Sequence, residues 1–301
     1  MVEPTIIEIT PRINFLYENI EKVGEAATFT LYQGKSRDDG ELYTLRVFNP
    51  ESDAAKTNYD LAATIFFQEI FHLSRKLAEL DAVVLENFEF FKGKIVFVTK
   101  CHYPINKEIG KTSVDLEQMV KDVISDVKTL YTKLKLGELT VDSKTIHRLK
   151  GTNYFFLTDW ANSRRVELQE FKNKEIMKLA ADIQALSIAN REVHTLGIAL
   201  FEMSGVVKNE WEGLFQMRNT TEYNKRLDEL VLKIPNANLH PIMKRIFDKD
   251  LTARLSMIDL LSEYGSLFFD CELMLMALSG RWAPAEKNRM VFVGVKHDIH
   301  L

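Results

Sequence analysis

Few residues in this chain have the type and spacing that chemistry demands. His297 and His300 stand three positions apart, as metal ligands can, but histidines in such a tail are read as solvated side chains. Cys101 and Cys271 lie in different segments without zinc-site spacing, so reduced core thiols are expected. Ser, His and Asp occur without a nucleophile-elbow pattern, which leaves hydrolase chemistry without support. Arg164-Arg165 and the stretch 172–178 are modestly basic, and a solvated face is the default for both. Asp115, Glu117, Lys121 and Lys128 read as ordinary surface charges of one helix. Asp159 follows the apolar run NYFFL (153–157) and on its own reads as a turn or cap residue.

The elements that must position any site are clearer. From Tyr17 to Asn49 the pattern is strand-rich, with RDDG (37–40) between two alternating runs as a hairpin signal. A long helix is predicted from about Tyr59 to Leu80, with Leu61, Ile65, Phe66, Ile70, Leu73 and Leu77 on one face. Two strands follow, VLENFEFF and KIVFVTK, joined by Lys92-Gly93. Cys101 to Ser113 reads as a connector. Beyond it helices are predicted over 115–136, 174–189, 221–233, 241–247 and 256–269. Residues before about Asn14 look like an extension with short strand character, and 273–301 like an extra helix plus a short strand.

The stretch REVHTLGIALFEMSG (191–205) is apolar around nearly its whole circumference, so it is expected to be buried on all sides and to end at a left-handed Gly205. It is too short, and too polar at its start, to span a bilayer.

Composition narrows the classes. At 301 residues and 46% hydrophobic, the chain can build a sizeable core without disulfides or metals. Thirty-nine basic against 43 acidic residues give a net charge of −4, which argues against a protein that coats nucleic acid. No signal peptide and no membrane span is expected, so an intracellular, cytoplasmic protein is the expectation.

Several stretches, in order, resemble protein kinases. EVHTLGIALFEM is similar to the buried central helix of that family, D-V-W-S-L-G-I-I-L-Y-E-M. GEAATFTLYQG (24–34) resembles the Gly-rich loop and YTLR, ending at Arg46, the V-A-I-K strand. FFQEIFHLSRKL places Glu69 at the helix glutamate, and IVFVTKCH places Thr99 at the gatekeeper. FLTDWANS resembles the strand leading into D-F-G, and DKDLTARLSMIDLL the D-P-x-x-R-P segment with Arg254 as its arginine. The resemblance covers roughly Tyr17 to Phe269. It implies an α+β, bilobal fold: an N-terminal extension (1–15), a β-rich N-lobe with one long helix (16–101), a hinge (102–113), an α-helical C-lobe (114–272) and a C-terminal extension (273–301).

The same resemblance implies that the chemistry is lost. Of the phosphate cradle only Gly24 remains, with Ala26 and Phe29 at the other glycine positions. Phe29 either points its ring toward the phosphate site or is a buried residue of an ordinary strand turn. Arg46 replaces the lysine, keeping charge but not its compact shape, and is expected to pair with Glu69. Thr44 narrows the floor of an adenine site. In GELTVDSKTIH (137–147), Glu138, Thr140 and Thr145 fall at the histidine, aspartate and asparagine of H-R-D-x-x-x-x-N. Sliding the register puts Glu138 or Asp142 at the aspartate, but then no asparagine falls five residues on. A threonine hydroxyl neither accepts a proton near neutral pH nor holds a metal as a carboxylate does.

Asp159 is the surviving magnesium-type ligand. The segment after it is short and offers Ser163 as its hydroxyl, so regulation by phosphorylation there is not expected. Glu175 and Arg254 are expected to form an architectural pair, and Glu192 to serve structurally at the start of the central helix. The resemblance therefore implies a pseudokinase: no catalytic residues, no bound ATP or magnesium, and a scaffold, allosteric or structural role toward one or more proteins, with no membrane or nucleic acid partner. The alternative is an atypical kinase-fold enzyme or nucleotide-binding switch using Arg46, Glu69 and Asp159.

Overall fold

The computed structural model describes residues 7–78, 80, 89–91, 94–109, 114–130, 136–137, 139–160, 164–165, 183–250, 253–255 and 257–260. The chain is α+β. Helix α1 (Pro11–Leu16) leads into an antiparallel five-stranded sheet built from β1 (Tyr17–Glu25), β2 (Phe29–Ser36), β3 (Leu42–Phe48), β4 (Glu89–Phe91) and β5 (Lys94–Lys100). Its strand order is β1-β2-β3-β5-β4. The short α2 (Asp53–Thr57) and the long α3 (Tyr59–Ala78) connect β3 to β4.

Period-two alternation assigns the two faces of this sheet. Leu45 and Val47 of β3 and Val96 and Val98 of β5 point one way and pack with Ile9, Ile13 and Tyr17. Phe48, Ile95 and Phe97 point the other way, onto Ala62, Phe66 and Ile70 of α3. Arg46, between Leu45 and Val47, therefore faces α3. Residues 7–15 are thus a cover for the sheet and not an appendage of strand character. A sheet with apolar residues on both faces leaves surface in water unless both are covered. Thr10 caps α1 by accepting from Ile13 N, and Pro11 opens the first turn.

Asn58 caps α3 by accepting the Leu61 N–H at 3.1 Å. Its buried face runs through Ala62, Ile65, Phe66, Glu69, Ile70, Leu73 and Leu77. Leu61, expected on that face, is 42% exposed, because it precedes Ala62 by one position, about 100° around the helix.

The segment expected to be a plain connector carries β6 (His102–Pro104) and a 3-10 turn (Ile105–Lys107). Strand β6 pairs with β8 (Ile146–Leu149), which pairs with β9 (Phe155–Leu157), so the connector belongs to a second, three-stranded sheet. A two-residue pairing joins β7 (Leu136–Gly137) to β10 (Arg164–Arg165).

The α-helices described beyond these sheets are α4 (Leu116–Thr129), α5 (Ile183–Met203), α6 (Lys208–Gln216), α7 (Tyr223–Val231), α8 (His240–Ile246) and the short α9 (Met257–Asp259). Asp115, expected on the surface, is the N-cap of α4. The sequence suggested a break between 189 and 191, but α5 runs through it without Gly or Pro to stop it. Val193, Leu196, Ala199, Leu200 and Phe201 of α5 lie in the largest core cluster, with α4, α7 and α8. Gly205 has φ +80° and ends the helix as expected. Among the described residues no helix is long and apolar enough to cross a membrane.

Candidate functional site

Three of the expected site residues, Arg46, Glu69 and Asp159, meet where α3 packs on the five-stranded sheet and the end of β9. Arg46 on β3 is 1% exposed and donates from Nη1 to Glu69 Oε1 at 2.6 Å. Glu69 is fully buried and also accepts the backbone N–H of Asp159 at 3.1 Å and of Trp160 at 3.2 Å. One carboxylate thus ties together β3, α3 and the chain leaving β9. Burial pushes the Glu69 carboxyl up and the Arg46 guanidinium down in pKa, while their mutual attraction opposes both shifts.

Asp159 adopts φ +61°, a conformation that Asp tolerates better than most residues. Its Oδ1 accepts the N–H of Ala27 at 3.0 Å. Ala27 lies in the β1–β2 turn, whose Ala26 N–H bonds the Phe29 carbonyl at 2.8 Å. The loop matched to a phosphate cradle is therefore folded onto a carboxylate of its own chain. Burial raises the Asp159 pKa, and the Ala27 N–H and Arg46 oppose that rise. Gly24 is paired with Leu31 within the sheet, and a Cβ there would make only ordinary contact with Leu31 at 3.5 Å. Nothing in its surroundings calls for a glycine.

Of the two readings of Phe29, the structure gives the buried one. Its ring has no exposure, packs 6.0 Å from Phe66, and lies under the Arg46 guanidinium, with Cζ 4.4 Å from the ring centroid. Arg46 Nε and Nη2 have no hydrogen-bond partner among the described residues.

Thr44 does more than narrow a floor. Its hydroxyl donates to the His102 carbonyl at 3.2 Å and accepts the His102 N–H at 3.0 Å. Thr44 thus engages both the N–H and the carbonyl of His102 in β6. Beside it, His102 Nδ1 and His147 Nδ1 lie 2.8 Å apart, so one ring donates and the other accepts. Burial and the neighbouring His147 hold His102 far below its usual pKa; burial, then Arg46, lowers His147 to about 3. The pair is neutral, and both rings pack on Phe156.

The segment matched to the catalytic loop is tied up internally. The Thr145 hydroxyl donates to the Thr140 carbonyl at 2.8 Å and accepts the Asp142 N–H at 3.0 Å. Asp142 Oδ1 accepts from Lys144 N and Thr145 N, closing a tight turn. Glu192 Oε1 accepts the Leu139 N–H at 2.6 Å, and Ser143 donates to Glu202 at 2.6 Å. Glu192, expected at the start of the central helix, lies within α5 and ties it to this turn. Arg254 donates from Nε to the Asp248 carbonyl at 2.8 Å. Glu138, Ser163, Glu175, residues 172–178, Cys271, His297 and His300 lie outside the described residues.

Sequence reasoning missed a second buried group. Asp126 of α4 has no exposure and accepts from His72 Nε2 at 3.1 Å, from Lys76 Nζ, and from Leu157 N at 2.8 Å. It joins α3 to α4 and β9. Its signal was legible: Asp126 sits one turn after Val123, inside the apolar stripe Met119, Val123, Val127. Glu117, expected to be an ordinary surface charge, accepts from Asn236 at 2.8 Å. No family model matches the chain, and no curated protein is significantly similar to it.

Proposed function

We propose that this chain is a degenerate, bilobal kinase-like protein without phosphotransfer activity, acting as a scaffold, allosteric or structural subunit toward other proteins. The observation that carries the reading is the Asp159–Ala27 bond. Under the resemblance, Asp159 is the one surviving magnesium-type ligand and Ala27 lies in the phosphate loop. Here each uses the other, and a carboxylate stands where an anionic ligand would meet the backbone N–H groups. The buried Arg46–Glu69 pair, the Thr44 bonds to His102 and the self-bonded Thr140–Thr145 turn support the same reading. The strand order β1-β2-β3-β5-β4 with one long helix before β4 supports the lobe assignment.

A second reading, a nucleotide-binding switch, has one observation in its favour. A cavity of about 550 Å³ remains between β1, β2 and β6, lined by Val23, Leu31, His102 and Tyr103. Against it stand the bonds of Thr44 to the His102 N–H and carbonyl, which occupy that part of the backbone beside the cavity. The test is phosphate transfer from ATP and magnesium to the chain itself or to added peptides. The proposal expects none; transfer abolished by Asp159→Ala overturns it.

A further inference from the structure

A groove of about 720 Å³ opens on the far side of the Ala26–Ala27 turn, away from β6. Its apolar wall is the first turns of α3, Leu61, Ala62 and Ile65, together with Ala26 and Ala27. Its rim carries the carboxylates of Glu25, Glu51 and Asp53, and among the described residues no Lys, Arg or His lines it. Glu25 is 54% exposed and Glu51 81% exposed, and their ion-pair partners Lys22 and Lys56 stand outside the groove. Exposed pairs of this kind contribute little, so both carboxylates are available to a stronger cationic partner. The other polar side chains are already committed: Asn49 to Glu51 N, Ser52 to Ala55 N and Asn58 to Leu61 N. These bonds fix the shape of the rim.

We infer that this groove docks a short basic segment of a partner protein, one in which lysines or arginines flank an aliphatic residue. The aliphatic residue covers the exposed Leu61, and the flanking cations meet Glu51, Asp53 and Glu25. Three observations select that occupant. Every charged side chain lining the groove among the described residues is a carboxylate, which disfavours an anionic partner such as nucleic acid. Among the described residues no group of three or more His, Cys, Asp and Glu side chains could hold a metal ion, so the carboxylates suit spread charge better than a single cation. Leu61 is 42% exposed at the edge of the wall, where a purely ionic ligand would leave it in water. The inference deepens the protein-binding part of the proposal above and does not depend on the loss of catalysis.

The test is fluorescence anisotropy with a labelled peptide alternating Lys and Leu, against the full chain. A second peptide with Glu in place of Lys is the control. Saturable binding of the first peptide and not the second is expected, weakening as salt rises. Glu51→Lys with Asp53→Lys should weaken it about tenfold or more, and Leu61→Ser should also weaken it. Asp38→Lys with Asp39→Lys, on the exposed β2–β3 turn, should leave it unchanged. Absence of binding, equal binding of the Glu peptide, or equal losses from both charge reversals overturns the inference. ATP binding and phosphate transfer, measured separately, report on the catalytic reading alone.

Discussion

The carboxylate of Asp159 and the backbone N–H of Ala27 are hydrogen-bonded at 3.0 Å across 132 positions of sequence. This bond pins the β1–β2 turn to the end of β9. Asp159 N in turn bonds Glu69, which holds Arg46, so the turn, β3, α3 and β9 share one buried polar network. In such a network the loss of one member leaves its buried neighbours without a partner.

Removing the carboxylate should free the turn. Asp159→Ala leaves the part-buried Ala27 N–H without its acceptor and puts Ala at φ +61°, at a cost of about 1 kcal/mol or more. Amide exchange at Ala27 should accelerate in Asp159→Ala and stay slow in Asp159→Asn, which keeps an oxygen acceptor and tolerates positive φ. Equal exchange in the native chain and Asp159→Ala would show that the bond does not hold the turn.

Glu69 should be the most sensitive member of the network. Glu69→Ala leaves the buried Arg46 guanidinium without its anion and two backbone N–H groups without their acceptor. Breaking a buried pair from one side costs about 3–5 kcal/mol. Urea denaturation should show a loss of that order; a loss comparable to an exposed pair such as Lys22–Glu25 would contradict the geometry.

The long α3, the RDDG hairpin and the buried run of α5 were legible because each announces itself within one window of sequence. Arg46–Glu69 was legible through the resemblance, and alternation along β3 explains why Arg46 faces α3. The His102–His147 bond was not, since it pairs distant strands that no local pattern connects. Helix α1 was misread, although Thr10-Pro11 is a cap followed by a first-turn proline. Helix α6 was missed because Val207 caps it without a side-chain oxygen. The Asp159–Ala27 bond spans 132 positions, and no local pattern of residues connects its two ends.

Asp122 makes stability depend on pH. Burial raises its pKa from 3.8 to about 6, against the bonds from Phe155 N and Gln118. The folded chain then holds this proton more tightly than the unfolded one. The resulting stabilisation is full below 3.8 and is lost as pH rises through about 6. Asp126 has the opposite sign: burial alone would raise it, but Lys76 and His72 hold it below its usual value, so its contribution fades only in stronger acid. Asp122→Asn should remove part of the stability gained on acidification between about pH 6 and pH 4. Urea midpoints of both proteins across that range check it; parallel curves would contradict the shift.

Gly197 is required by contact. A Cβ there would meet Phe247 Cζ at 2.7 Å and Ile246 Cγ2 at 2.9 Å. Gly197→Ala should destabilise by about 1–3 kcal/mol despite the better helix propensity of Ala. A stabilised variant in thermal melts would show that α5 and α8 are not this close.

Calorimetric titration of the native chain with ATP and magnesium tests the central claim most directly. With the loop bonded to Asp159 and the His102 backbone bonded to Thr44, no binding heat is predicted, and no thermal stabilisation at any ATP level. Saturable binding would contradict the account; at a hundredfold excess over the dissociation constant it would add about 2.7 kcal/mol of stability.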